Sequence, residues 1–76
     1  MKHISEVWNY LREAKTKDEL EERIGDIPNK FGDWDIEKTE DGRCRVINYY
    51  YDELCENWDE DCEDLDIMFE EEEDND

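Results

Sequence analysis

The acidic and basic residues of this chain are unevenly distributed along its 76 positions. Residues 1–45 contain all nine Lys and Arg residues and twelve acidic ones, whereas residues 46–76 contain fifteen acidic residues and no basic one. Two carboxylates about 6 Å apart in water repel each other by roughly 0.7 kcal/mol, and a domain of this size is stable by only about 4–11 kcal/mol. An acidic half without internal counter-ions works against the fold, which indicates that its charge serves a purpose other than stability.

The length and the net charge of −18 limit the classes of function that this chain can have. A chain this short forms one small domain, because it buries only roughly 60% of the surface that it exposes when unfolded. It contains neither an apolar run of membrane-spanning length nor a signal-peptide pattern, so we expect a cytoplasmic protein. Phosphate binding requires clustered Lys and Arg. We therefore expect no direct binding to nucleic acid or membrane, and a partner chosen by charge would be basic.

Nine aromatic residues distinguish this sequence from a disordered acidic chain. Leu, Ile, Val and Phe make up only 18% of the residues, a proportion that together with high net charge is typical of disorder. Each aromatic side chain, however, can bury about 150–250 Å². We predict a single small folded domain over residues 1–69 and an acidic tail over residues 70–76.

Hydrophobic spacing and capping signals predict two N-terminal helices. Over residues 4–15 the apolar positions recur on one helical stripe, which predicts an amphipathic helix. Thr16 and Glu19 have the spacing of a capping box, so a second short helix should begin there. Gly25 is the expected end of this helix. The stripe of the first helix consists of Ile4, Val7, Trp8, Leu11 and Ala14.

A β-hairpin is predicted over residues 34–51. Asp41-Gly42 suits a two-residue type I′ turn, which would pair Ile36 with Ile47 and Trp34 with Tyr49. This register places Tyr50 on the face that points away from the helices. The face predicted to pack on the helices carries Trp34, Ile36, Ile47, Tyr49 and Tyr51.

The segment after Asp52 shows two conflicting periodicities. Leu54, Trp58, Cys62 and Leu65 have helical spacing, and Asp52 is a suitable N-cap, so we predict a short acidic helix over about 53–62. Alternation of apolar residues predicts a third strand over about 65–70. The predicted fold class is therefore α+β: two N-terminal helices packed on a small antiparallel sheet, with an acidic helix and an acidic tail.

No residue pattern predicts catalysis, a metal site or a cofactor. Cys44, Cys55 and Cys62 lack the paired spacing of a zinc site and are read as reduced thiols. Asp59, Asp61, Glu63 and Glu70 match four ligand positions of a calcium loop, but Asp64 replaces its required glycine. Because nothing indicates a substrate pocket, we expect a protein that is not an enzyme.

The candidate binding residues are acidic side chains and two aromatic anchors. Tyr50 and Trp58 are the predicted anchors, because exposed aromatic residues are enriched at interface hot spots. Asp33, Asp35 and Glu37 on the hairpin are predicted to extend the acidic surface. The main acidic set consists of Glu53, Glu56, Asp59, Glu60, Asp61, Glu63, Asp64 and Asp66.

In size, acidity and helix-plus-hairpin plan, the chain resembles the small phage-encoded nucleic-acid mimics that inhibit CRISPR effectors, restriction enzymes or uracil-DNA glycosylase. The resemblance is one of composition, carried mostly by the C-terminal 31 residues, and it includes no shared motif. It implies an inhibitor that occupies the basic DNA- or RNA-binding groove of a bacterial defence protein, with an anti-CRISPR protein that blocks a Cas effector as the first expectation. The alternative is an acidic adaptor or antitoxin-like regulatory subunit that binds a basic protein outside any nucleic-acid groove.

Overall fold

The computed structural model describes residues 2–69, which form two α-helices and a three-stranded antiparallel sheet. Helix α1 spans Ile4–Arg12 and α2 spans Lys17–Gly25, and a 3₁₀ turn follows at Asn29–Phe31. The strands are β1 (Asp33–Lys38), β2 (Arg43–Asp52) and β3 (Asn57–Met68), in the sheet order β1-β2-β3. The predicted α+β class is confirmed, and the predicted acidic tail, residues 70–76, lies outside the described residues.

The two helices begin and end close to the predicted positions. The side-chain oxygen of Thr16 accepts a hydrogen bond from the backbone N–H of Glu19 at 3.2 Å, which caps α2. Gly25 is the last residue of that helix, as predicted. Neither helix within residues 2–69 has the length and apolar character needed to cross a membrane.

Both helices pack on one face of the sheet, which we call the inner face. Trp8 of α1 makes an edge-to-face contact with Trp34 of β1, with ring centroids 5.1 Å apart. The opposite face of the sheet, which we call the outer face, carries no helix from residues 2–69. The buried core between the helices and the inner face consists of Val7, Leu11, Ala14, Leu20, Ile27, Cys44, Val46, Leu65 and Ile67.

The hairpin β1–β2 is present, but its predicted register is wrong by one residue. Ile36 pairs with Val46 and Trp34 pairs with Asn48. The backbone N–H of Thr39 donates to the carbonyl of Arg43 at 2.9 Å, which closes a three-residue loop over 40–42. Gly42 has a φ of 81°, the left-handed conformation that such a loop requires at its last position. The extra loop residue accounts for the shift.

This shift reverses the predicted faces of β2, since neighbouring residues of a strand point to opposite sides. Cys44 and Val46 lie in the core instead of pointing outward. Ile47 and Tyr51 lie on the outer face, although Tyr51 was predicted to be in the core. The prediction that Tyr50 faces away from the helices is therefore wrong.

The predicted helix over 53–62 is also wrong, because residues 53–56 form a turn and β3 begins at Asn57. Asp52 caps this turn: its Oδ1 accepts from the N–H groups of Leu54 at 3.0 Å and Cys55 at 3.4 Å. A helix here would bring like charges together at i and i+4, which is unfavourable. A strand sends neighbouring carboxylates to opposite faces. The predicted third strand thus starts about eight residues earlier than expected.

A buried asparagine on β2 forms hydrogen bonds to the end of the 3₁₀ turn and to the start of β1. Asn48 is 1% exposed, and its Nδ2 donates to the carbonyls of Phe31 at 2.9 Å and Asp33 at 3.1 Å. Its position on the inner face is possible because both amide hydrogens have acceptors.

Replacing Asn48 by Ala should lower the free energy of unfolding by about 1–3 kcal/mol, since it leaves two carbonyls without their donor. Urea titration followed by far-UV circular dichroism measures the change. Asn29→Ala, at an exposed position of the same turn, is the control and should have little effect. Equal effects of the two substitutions would contradict a role for the Asn48 hydrogen bonds.

Candidate protein-binding surface

The outer face carries a central aromatic and apolar stripe from β2 between acidic side chains of β1 and β3. Three residues of β1 and alternate residues of β3 point to this face, because they pair directly with the outward residues of β2. Successive sets across the strands are Glu37, Arg45 and Asp64; Asp35, Ile47 and Cys62; Asp33, Tyr49 and Glu60; and Tyr51 with Trp58.

The geometry of paired strands fixes the spacing of these carboxylates. Outward residues recur every second position, or about 6.8 Å along a strand, and the rows on β1 and β3 lie about 9.5 Å apart across β2. Ile47, between the rows, is only 6% exposed. Because they are alternate residues of β1, the predicted hairpin acids Asp33, Asp35 and Glu37 lie in one row on the outer face.

Two exposed aromatic side chains continue the central stripe at its far end. Tyr51 is 49% exposed and Trp58 is 62% exposed. Their rings meet edge to face, with centroids 5.8 Å apart and an angle of 74° between the planes. Tyr50, predicted as an anchor, is half-buried on the other face, and its hydroxyl donates to Asp59 at 3.5 Å. Trp58 therefore has Tyr51, rather than Tyr50, as its exposed neighbour.

Arginines from the first 45 residues reach three of the predicted acidic residues. Arg12 of α1 makes a bidentate pair with Glu63, with both N···O distances 2.8 Å. Arg45 pairs with Asp64 at 2.6 Å, and Arg43 pairs with Asp66 at 2.6 Å. The expectation of an acidic half without internal counter-ions is therefore wrong for the part of β3 beside the core.

The other five members of the predicted acidic set lie in residues 50–61, which we call the acidic arm. This end of the β2–β3 hairpin contains no fully buried residue and no Lys or Arg. Within residues 2–69, no ion pair involves any of these five, nor any of the three acids of β1. The five are Glu53, Glu56, Asp59, Glu60 and Asp61. We call these eight side chains, which make no ion pair within residues 2–69, the open carboxylates. Those of Glu63, Asp64 and Asp66 are the paired carboxylates.

The protonation behaviour of the site follows from the same contacts. The hydrogen bond from Arg45 lowers the pKa of Asp64, and the same bond raises the pKa of Arg45. Burial, and then the charge of Glu60, raises the pKa of Tyr49. Burial, and then the charge of Asp59, raises the pKa of Tyr50. At neutral pH the paired carboxylate stays ionised and both tyrosines stay neutral.

Side chains of the chain itself occupy several backbone donors along the free edges of the sheet. Asn57 Oδ1 accepts from the N–H of Trp58 at 2.9 Å, and Asp59 Oδ1 accepts from the N–H of Glu60 at 2.8 Å. On the other edge, Asp35 Oδ1 accepts from the N–H of Ile36 at 2.8 Å. Occupied donors and acidic side chains both oppose the addition of another strand. Both edges of the sheet are thus poor sites for the addition of a strand.

The metal-ligating side chains and the cysteines of the described residues are distributed as follows. Within residues 2–69, no three His, Cys, Asp or Glu side chains are grouped so that they could hold a metal ion. No disulfide joins the three cysteines, all of which lie within residues 2–69: Cys44 is buried in the core, while Cys55 and Cys62 are exposed on the acidic arm and the outer face.

Comparisons with protein-family models, with curated proteins and with solved structures each return no match.

Sequence reasoning missed Tyr51 as the exposed aromatic residue and missed all three arginine pairs on β3. Residues 12 and 63, for example, are 51 positions apart, so their contact depends on the packing of α1 against the sheet. The position of Tyr51 close to the turn at the end of β2 is a signal for exposure. The predicted register placed Tyr51 on the core face, so this signal was not used.

Proposed function

We propose that this protein is a nucleic-acid mimic whose outer face and acidic arm occupy the basic groove of a nucleic-acid-binding protein. The observation that supports this best is the acidic row of β1 with the open carboxylate of Glu60 across the sheet, held at fixed spacing, and the exposed aromatic pair Tyr51 and Trp58 at the far end. Arginines that bind phosphate suit carboxylates equally well. The resemblance to phage-encoded mimics adds the proposed target class: a bacterial defence nuclease, in the first place a Cas effector.

The spacing of charges on the outer face can be compared with that of a DNA strand. Two full rows with about 6.8 Å spacing would give one charge per about 3.4 Å, the value for one strand of DNA. The β3 row is incomplete, because Cys62 interrupts it and Arg45 neutralises Asp64. Since charge alone falls short of a DNA strand, we propose that Tyr51 and Trp58 supply apolar contact that adds to the electrostatic attraction.

The rigidity of the scaffold supports the same proposal. The acids of the outer face stand on paired strands rather than on a loop, and the buried Ile47 holds the stripe between them in place. Ordering of long side chains and loops reduces the affinity of most interfaces. Asp33 and Asp35, with short side chains on a paired strand, lose little freedom on binding, so most of their attraction contributes to affinity.

The test is inhibition of DNA cleavage by guide-loaded Cas9-type and Cas12-type effectors and by a restriction endonuclease. We expect inhibition of one of them that excess cognate DNA relieves, because mimic and DNA occupy one groove. We also expect the inhibition constant to rise steeply with added NaCl, as for other associations between opposite charges. Inhibition that excess DNA leaves unchanged would contradict mimicry.

A second candidate is an acidic adaptor that binds a basic segment of a partner protein outside any groove. The arginine pairs on β3 favour it, because they confine much of the open charge to the acidic arm, a smaller patch than a groove requires. An adaptor would stay bound to its partner when saturating DNA is present, whereas a mimic would be displaced.

A further inference from the structure

Elsewhere in the fold, the aromatic rings at three positions are covered by the chain's own cations. Lys17 lies over Phe69 at 4.3 Å, and Arg23 lies over Tyr10 at 4.6 Å from the ring centroid. Lys30 lies over Phe31 at 5.1 Å. Such contacts are favourable because the ring face carries partial negative charge.

The most exposed rings have no such cation within residues 2–69. Tyr51 and Trp58 lie on the acidic arm, which contains no Lys or Arg. Their edge-to-face contact leaves ring surface open to solvent, as the 62% exposure of Trp58 shows. Glu60 lies two residues from Trp58 on the same strand, so both point to the outer face. The aromatic pair Tyr51 and Trp58 and the open carboxylate of Glu60 thus lie next to each other on the outer face.

We infer that Tyr51, Trp58 and Glu60 form a binding site for one arginine side chain of the partner. The guanidinium group stacks on the exposed aromatic surface and donates hydrogen bonds to the Glu60 carboxylate. Arginine suits this site better than lysine, because its planar group stacks on rings, is more weakly hydrated and donates two parallel hydrogen bonds to a carboxylate. This inference rests on the proposed function only in that the partner's binding surface must be basic.

Short peptides of equal charge test the inference without the natural target. Acetylated tetra-arginine amide and tetra-lysine amide are titrated against the full chain at one ionic strength, and the indole N–H resonance of Trp58 is followed by NMR. If only arginine stacks on the rings, and this contact contributes as much as an exposed cation–π contact, tetra-arginine should bind about two- to fivefold more tightly than tetra-lysine. Equal affinities of the two peptides would overturn the inference.

Substitutions test whether the preference for arginine over lysine depends on the two aromatic rings of the acidic arm. Trp58→Leu should remove most of the preference for tetra-arginine over tetra-lysine, measured by the shift of neighbouring amide resonances. Tyr51→Leu is a second test, with a smaller loss expected. Leu54→Ala is the matched control, because Leu54 is 97% exposed on the same arm and carries no ring, so both affinities should stay unchanged. An arginine preference that survives both ring substitutions would overturn the assignment.

The peptide experiments can fail independently of the nuclease-inhibition test of the proposed function. Mimicry fails if DNA does not relieve nuclease inhibition, whatever the peptides do. The arginine site fails if the peptides bind equally, even when DNA displaces the protein from its target.

Discussion

Replacing Gly32 by Ala is expected to destabilise the fold severely. Gly32 has a φ of 95°, and an added Cβ would lie 2.1 Å from the backbone carbonyl oxygen of Tyr49. With a ψ of −160° as well, this backbone conformation is nearly exclusive to glycine and costs a residue with a side chain about 1–3 kcal/mol, and the clash with the fixed backbone adds to it. We expect a loss above about 3 kcal/mol, a large part of the whole stability of a domain this small. Thermal and urea unfolding measure it.

The other two glycines provide matched controls for the same substitution. Gly42 has a φ of 81°, but an added Cβ would meet nothing within 4 Å, so Gly42→Ala should lose only about 1–2 kcal/mol. Gly25 ends α2 without a positive φ and also has open space, so Gly25→Ala should be neutral or stabilise by up to about 1 kcal/mol. Losses of similar size at all three positions would contradict the close contact at Gly32.

Gly32 matters because it lets the chain pass from the helical layer directly against the central strand. The 3₁₀ turn before it is also held by Asn48, so two contacts fix the start of β1. Asp33, the first acidic residue of the outer face, follows Gly32 immediately. The position of the β1 row therefore depends on the close approach of Gly32 to Tyr49.

The helices could be predicted from the sequence because their signals are local. The α1 stripe and the Thr16 cap each depend on residues within a few positions of each other. The faces of β2 could not be predicted in this way, because a central strand can be apolar on both sides. Val46 is buried on the inner face and Ile47 is 6% exposed on the outer face, so alternation gives no preference between registers. The three-residue loop decides the register.

The acidic segment after Asp52 was misassigned for a related reason. Its apolar residues are too few to distinguish a period of 3.6 from a period of 2, so a helical spacing could be found by chance. The strand is favoured by pairing with β2 and by arginines that lie far away in sequence. The candidate acids themselves were identifiable from charge alone, but their division into open and paired groups required the packing of α1 and the register of the sheet.

Removing the open carboxylates of the outer face should greatly weaken binding while leaving the fold intact. The test variant combines Asp33→Asn, Asp35→Asn, Glu37→Gln and Glu60→Gln, none of which takes part in an ion pair within residues 2–69. If each lost contact with a basic groove costs about 0.7 kcal/mol, the four together weaken binding about 100-fold. Binding is measured at one salt concentration, against the nuclease for which the proposed inhibition test is positive.

The matched control removes the same number of charges from the helical side and the β1–β2 loop. It combines Glu6→Gln, Asp18→Asn, Glu22→Gln and Glu40→Gln, all at exposed positions away from the outer face. Both variants have a net charge four units less negative than the native chain. The control should lose only a few-fold in affinity, through weaker long-range attraction. Equal losses in the two variants would show that net charge, and not the outer face, determines binding.

Stability should move in the opposite direction to affinity in the outer-face variant. The β1 row holds three like charges about 6.8 Å apart, and their repulsion opposes folding. Neutralising them relieves that repulsion, so the melting temperature should stay constant or rise while binding is lost. Damage to the fold would instead lower both quantities. A variant that is at least as stable as the native chain and yet binds far more weakly would therefore support a surface whose charge is kept for a partner at some expense to stability.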